Sequence, residues 1–313
     1  MTKAIRTVAI VGAGLVGSGW AIVFARAGLE VKLYDVDAGI RNHVPAFLKG
    51  ALEDMQGAGL VDKVDEVLAR IEVVDTLEAA VTPAQYVQES VFERVDIKKQ
   101  ISLRIDAAMD SAAVVGSSSS GIPGSAFTEE CTNRSRFLVV HPVNPPHLVP
   151  VVEIVPAPWT DTDVVTIAND LMSLVGQVPV LVRREIEGFI LNRLQGALLN
   201  EAWALFEDGY ASAADIDKTV AYGLGLRWSF MGPFETIDLN APGGLKDYAE
   251  RLAPLYHRIA QSRPTARAWS QEAIAAADAE RRVALPAGDL AARREWRDAY
   301  LMRLAAFREK QEG

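Results

Sequence analysis

His141 and Glu153 stand twelve residues apart in the stretch HPVNPPHLVPVVEIV, and they are the side chains in this sequence best suited to moving a proton. His141 opens a turn whose Pro142, Pro145 and Pro146 forbid a continuous helix, while VVEIV over 151–155 has the β-branched content of a strand. Glu153 therefore interrupts a run that would otherwise bury, and a buried carboxylate is costly unless it is paired. His141 is its nearest candidate partner. Neutral imidazole has a basicity suited to taking a proton near neutral pH, and a carboxylate on its other ring nitrogen fixes the tautomer and stabilises the imidazolium. The pair is read as chemical, with a purely structural His–Glu pair as the alternative. Ser120 and Asn144 fall on loops after adjacent strands, where each can hydrogen-bond a substrate oxygen.

A second group of residues is suited to holding an anion. Gly12-Ala13-Gly14-Leu15-Val16-Gly17 follows the apolar run TVAIV and opens a helical stretch. Gly12 permits the tight turn, Gly14 lets the backbone approach a pyrophosphate, and Gly17 lets helix and strand pack closely. The helix N-terminus adds N–H groups and the positive end of its dipole. Asp35 ends the second apolar run, 18 residues after Gly17, where an acid accepts hydrogen bonds from ribose hydroxyls and repels a 2′-phosphate. The expected cofactor is therefore NAD, although Arg41 nearby works against that preference. A glycine turn without a ligand, and an acid facing solvent, are the bland alternatives.

These residues need a scaffold, and the runs TVAIV (7–11), VKLY (31–34), IEVV (71–74), AAVV (112–115), RFLVV (136–140) and QVPVLV (177–182) supply it. Separated by helical patterns, they predict βα units and a mostly parallel sheet. Beyond about residue 186 the strand signals stop and long amphipathic stretches begin. The expected fold class is α/β, a Rossmann-type doubly wound sheet over 1–186 followed by an all-α domain over 187–313. His141 then lies at the carboxyl end of its strand, where open α/β sheets place their ligands.

Composition narrows the function further. A chain of 313 residues with net charge −9 is not built to bind along nucleic acid. Without an apolar run of about 20 residues it is not expected to span a membrane, and its N-terminus enters strand-like sequence too soon for a leader peptide. Cys131 is the only cysteine, so no intrachain disulfide can form and the cytoplasm is the expected compartment. Cys131 itself reads as a small packed residue, and His43 and His257 as surface residues on helices.

The order of Gly-rich turn, Ser120, His141, Asn144, Glu153 and Gly188-Phe189-Ile190-Leu191-Asn192-Arg193 resembles the 3-hydroxyacyl-CoA dehydrogenase superfamily across both domains. The resemblance implies that His141 is the general base, Glu153 its partner, and Ser120, Asn144 and Asn192 contacts to substrate or to the nicotinamide. It also implies that Glu93 and Lys98, which otherwise read as surface charges, contact the cofactor on the nicotinamide side. The implied reaction is NAD-dependent oxidation of the 3-hydroxyl of an L-3-hydroxy acid to the 3-keto acid, in a homodimer. HPVNPP replaces the His-Phe-Phe-Asn-Pro stretch of the acyl-CoA members, and an Arg-Trp pair, Arg227-Trp228, precedes the Met-Gly-Pro turn.

Those departures, with the stretches EGFILNRLQGALLNEAW, GLGLRWSFMGPFET and LAARREWRD, resemble the members of that superfamily that act on small hydroxy acids, and the resemblance implies such a substrate here. L-gulonate, oxidised to 3-dehydro-L-gulonate, comes first, with Arg227 as a bidentate carboxylate partner. The alternatives are a short-chain 3-hydroxyacyl-CoA, L-carnitine in an aromatic cage of Tyr222, Trp228 and Phe230, or a non-enzymatic protein that keeps the fold as lens crystallins can. His147 is expected at a pocket rim or facing solvent. The basic terminal stretch RREWRDAYLMRLAAFREK reads as a packed helix with one solvated face.

Overall fold

A computed structural model describes residues 5–262 and 268–312. Residues 1–4, part of the N-terminal stretch expected to leave no room for a leader, lie outside the described residues. Eight strands form one sheet: β1 (Thr7–Val11), β2 (Glu30–Tyr34), β3 (Ile71–Val73), β4 (Tyr86–Glu89), β5 (Val114–Ser117), β6 (Phe137–Pro142), β7 (Val151–Pro156) and β8 (Val178–Leu181). Their order is β3-β2-β1-β4-β5-β6-β7-β8. All neighbours are parallel except β6 and β7, whose antiparallel register sets His141 opposite Glu153. The strand order reverses between β1 and β4, the crevice where such sheets bind dinucleotides.

The helices of the first half are α1 (Leu15–Arg26), α2 (Ala38–Gly57), α3 (Val64–Leu68), α4 (Leu77–Val81), α5 (Val95–Ala108), α6 (Ser125–Thr128) and α7 (Thr162–Leu174). The second half has α8 (Leu191–Glu207), α9 (Ala213–Thr219), α10 (Gly225–Trp228), α11 (Pro233–Leu239), α12 (Gly244–Ser262), α13 (Gln271–Ala284) and α14 (Leu290–Glu312). Successive side chains of a strand point to opposite faces, and the two sides of the sheet have separate cores. Leu138, Val140, Val152 and Ile154 pack with α1, α2 and α7, around the fully buried Trp20 and Phe24. Val139 and Val155 face the other way and pack with Phe127 and Phe189. His141 and Glu153 share that second side.

β4 has no counterpart among the apolar runs. Its Gln88 and Glu89 are 0% and 1% exposed, so half of a central strand is polar and its burial depends on partners from elsewhere. Tyr86 Oη donates to Gln88 Oε1 at 2.6 Å, and Gln88 Nε2 donates to Ser118 Oγ at 2.8 Å. Such partners leave no trace in a hydrophobic pattern.

The chain divides into two compact units, 1–193 together with 294–313, and 194–293. The expected boundary at 186 falls short of the first by a few residues, because the turn at 187–190 and the first residues of α8 pack with the sheet. The larger difference is at the other end. The terminal helix α14 belongs to the first unit from Arg294 onward, with Met302 buried in the same core as α1 and α7. The second unit is all-helical. Inside it Trp203 stacks on Trp269 at 4.9 Å, and Arg281 of α13 pairs with Asp217 of α9 at 3.4 Å. Among the described residues no helix is long and apolar enough to cross a membrane.

Candidate active site

The glycine turn is built as the motif requires. Gly12 has φ +102°, which an L side chain rarely adopts, and its N–H donates to Tyr34 O at 2.8 Å. A Cβ on Gly17 would stand 1.8 Å from Gly12 O. A Cβ on Gly14 would meet nothing within 4 Å, so the first turn of α1 opens onto free space where a pyrophosphate can approach the backbone. Leu15 is exposed beside it and Val16 packs inward. Asp35 is nearly buried, accepting from Ala13 N at 2.7 Å and Asp37 N at 2.9 Å. These bonds hold the carboxylate beside the turn with lone pairs left for ribose hydroxyls. Arg41 donates to the Asp35 carbonyl at 2.7 Å and lies 3.6 Å from Asp75, so its guanidinium is engaged by acceptors other than the Asp35 carboxylate. The residues present therefore fit NAD.

At the ends of β5 and β6 the sheet assembles a continuous hydrogen-bond chain. His141 and Glu153 are both buried, with Nδ1 and Oε2 2.8 Å apart. The carboxylate leaves Nδ1 as the donor, so the lone pair of the ring is on Nε2. Glu153 Oε1 accepts the N–H groups of Ile190 at 2.8 Å and Leu191 at 3.0 Å, at the start of α8. Burial pushes the Glu153 carboxyl up, but bonds from His141, Leu191 and Ile190 more than offset it, and its pKa lies below the usual carboxylate value. Phe189, fully buried and at φ +49°, turns the chain so that these two amides reach Glu153. Its ring lies 5.8 Å from that of His141.

Asn192 extends the chain, donating to Ser120 O at 2.5 Å. The Ser120 N–H and hydroxyl donate to Glu93 Oε1 at 2.8 and 3.3 Å, and Ser119 Oγ and Gly121 N donate to the same oxygen. Burial pushes the Glu93 carboxyl up, while Lys98 and these donors pull it below its ordinary value. Lys98 differs from its reading as a surface charge. It is 1% exposed, so it is no surface charge. Its ammonium is enclosed by Glu89 at 3.1 Å and Glu93 at 3.5 Å.

Sequence reasoning missed Glu89, Ser117, Ser118 and Ser119. Ser117 Oγ donates to Glu89 Oε2, and Ser118 Oγ gathers Trp20 Nε1, Gln88 Nε2 and Ser90 Oγ within 3.1 Å. The run of four serines was the available signal, since a strand end needs that many hydroxyls only where polar groups converge. Asn144 is exposed, three residues beyond His141, and makes no hydrogen bond among the described residues. Arg227 is exposed on α10 of the second unit, without an ion-pair partner among the described residues. His147 lines a cavity of the first unit. It is half-buried, its Nδ1 has no partner among the described residues, and burial pushes its pKa down to about 4. Cys131 is packed as expected, and burial raises its thiol to about 12.

The chemistry available here is abstraction of a hydroxyl proton by Nε2 of His141 beside a dinucleotide fold. Comparison with known proteins agrees in class. The pattern described as "3-hydroxyacyl-CoA dehydrogenase, NAD binding domain" matches residues 7–186, and "3-hydroxyacyl-CoA dehydrogenase, C-terminal domain" matches 188–283. The chain is 38% identical to lambda-crystallin of Oryctolagus cuniculus over 97% of its own length and 96% of that protein. It is 36% identical to L-carnitine dehydrogenase of Pseudomonas putida, covering 80% of this chain and 78% of that one. Among solved structures, 5-formyl-3-hydroxy-2-methylpyridine 4-carboxylic acid 5-dehydrogenase, an NAD+-dependent dismutase, superposes with a TM-score of 0.76 at 27% identity, covering 99% of both chains.

Proposed function

Starting from its membership of the 3-hydroxyacyl-CoA dehydrogenase family, and hence from an NAD-dependent enzyme acting on a CH–OH group, we propose that this chain oxidises a small L-3-hydroxy acid, L-gulonate first, to its 3-keto acid. The observation that carries the reading is the buried His141–Glu153 pair at 2.8 Å, with Glu153 held by two α8 amides. His141 Nε2 takes the hydroxyl proton. Glu153 keeps Nδ1 protonated and stabilises the imidazolium that results. Ser120, Asn144 and Asn192 orient the substrate oxygen. Bound NAD+ supplies the hydride acceptor. Glu93, fixed by Lys98, holds the Ser119–Gly121 backbone on which Ser120 is carried.

The placing of cations supports the substrate class. Coenzyme A carries phosphates, and the segment 37–60 offers only Arg41, bonded to the Asp35 carbonyl, and Lys49, 3.6 Å from Glu53. That supply argues for a substrate with one carboxylate, and the exposed Arg227 is its proposed partner. L-carnitine is the second reading, favoured by Tyr222, Trp228 and Phe230, which are 81%, 40% and 67% exposed within ten residues of one another. The second unit exposes many large apolar side chains, including Leu226, Phe234 and Leu239, which supports a homodimer.

Initial rates with NAD+ and L-gulonate, L-carnitine or L-3-hydroxybutyrate, and with NADH and acetoacetyl-CoA, test the reading. L-gulonate is expected to be preferred, with Arg227→Ala raising its KM and His141→Asn abolishing turnover while NADH still binds. Preference for acetoacetyl-CoA would keep the His141 chemistry and overturn the substrate assignment.

A further inference from the structure

A cavity of about 720 Å³ lies in the first unit, walled by the end of α1, the segment 146–151, the segment 174–178 and the last turns of α14. It is on the opposite side of the sheet from His141. Its helices pack on Leu138 and Val140, whereas His141 and Glu153 point with Val139 and Val155. Its volume suits a small molecule, and no residue of the candidate active site lines it.

The charged groups in its wall are chiefly cations, and Gln177 adds a buried Oε1 without a partner among the described residues. Arg26 spends one guanidinium nitrogen on Leu60 O at 2.9 Å and has no carboxylate within ion-pair distance among the described residues. Arg308 has no ion-pair partner among them either. His147 Nδ1 is buried against α1, 3.1 Å from where a Cβ on Gly19 would stand. That leaves Nε2 as the nitrogen a ligand can reach, and burial keeps the ring neutral at physiological pH, its pKa near 4. Glu309 is the one carboxylate in the wall and acts electrostatically on Arg26. Two guanidinium groups against one carboxylate leave a net positive cavity on a protein of net charge −9, and most of the remaining wall is apolar.

We propose that this cavity is a second ligand site, separate from the dehydrogenase centre, for an amphipathic anion. Its head is a carboxylate or phosphate monoester at Arg26 and Arg308, and its short apolar body lies against Leu304 and the end of α7. The half-buried Arg26 guanidinium, with the exposed Arg308 beside the cavity, favours an anionic head over a neutral one.

The test is calorimetric titration of the NADH-saturated enzyme with octanoate, octyl phosphate and octanol. One equivalent of octanoate or octyl phosphate is expected to bind with a dissociation constant on the order of 0.1 mM, and the tighter of the two identifies the head group. Octanol is expected to bind at least about tenfold more weakly. Arg308→Gln and Leu304→Trp, the second chosen to fill the cavity, are each expected to weaken the anion by about tenfold or more, with NADH affinity and kcat unchanged. Absence of saturable binding, equal binding of octanol, or equal affinity in a folded Arg308→Gln protein would overturn the proposal. Should Leu304→Trp not fold, Arg308→Gln on the exposed face of α14 decides alone.

Discussion

Replacing Glu153 with glutamine preserves size and removes charge, and the structure dictates which way the amide must face. Glu153 Oε1 accepts two backbone N–H groups, from Ile190 and Leu191, and Oε2 accepts from His141. A glutamine has one acceptor oxygen. Turning its NH2 toward two N–H donors would leave three donors facing each other, so the oxygen goes to α8 and the NH2 faces His141. Nδ1 must then accept, which moves the ring proton to Nε2, the nitrogen that should receive the substrate proton. The imidazolium also loses its counter-charge. With charge centres about 4 Å apart and an effective dielectric of about 20, the lost attraction is about 4 kcal/mol, or about a thousandfold in rate. NADH formation at saturating NAD+ and substrate measures it. The expected result is a kcat lower by about three orders of magnitude with the NADH dissociation constant within about twofold of the parent. A loss of kcat under about tenfold, or a raised KM with kcat intact, would refute the tautomer argument.

Gly14→Val adds atoms in open space, so Tm should stay within about 2 °C while NADH affinity, measured by fluorescence titration, falls by about tenfold or more. Gly17→Ala should instead lower Tm, because its Cβ would stand 1.8 Å from Gly12 O. Lys98→Met leaves buried Glu89 and the neighbouring Glu93 without their cation, and urea unfolding should show a loss of about 3–5 kcal/mol. A loss near zero would mean that the two carboxylates share a proton instead. Glu93 and Glu153 both have carboxyl pKa values below the ordinary one. Their contribution to stability is therefore complete above the unfolded value of about 4.3 and disappears as pH falls through the lower folded values. Glu93→Gln should flatten the stability profile below about pH 5, measured as the urea midpoint against pH.

The sequence by itself determined the fold class and singled out the residues of the candidate site that stand out locally. Seven of the eight strands were legible because a strand in a parallel sheet is covered on both faces and must be apolar, as in TVAIV and RFLVV. The glycine spacing was legible because its constraints are local: a positive φ at Gly12 and a close contact between Gly17 and Gly12 act within six residues. Glu153 was legible as an anomaly, a charge in an apolar run.

What only the tertiary structure decided are the polar groups whose partners come from distant segments. β4 escaped because Gln88 and Glu89 are buried by Ser118, Val140 and Lys98, two of them at least 30 residues away. Lys98 gave no sign of its burial, since a lysine in a helical stretch such as VDIKK reads as solvated until Glu89 and Glu93 are seen to enclose it. The clamp of Ile190 and Leu191 on Glu153 uses backbone amides, which every residue carries and no sequence displays. The return of α14 to the first unit is of the same kind. Its amphipathic pattern says that one face must be covered, but burial is non-directional, so only the folded chain shows that Met302 lies in the core shared by α1 and α7.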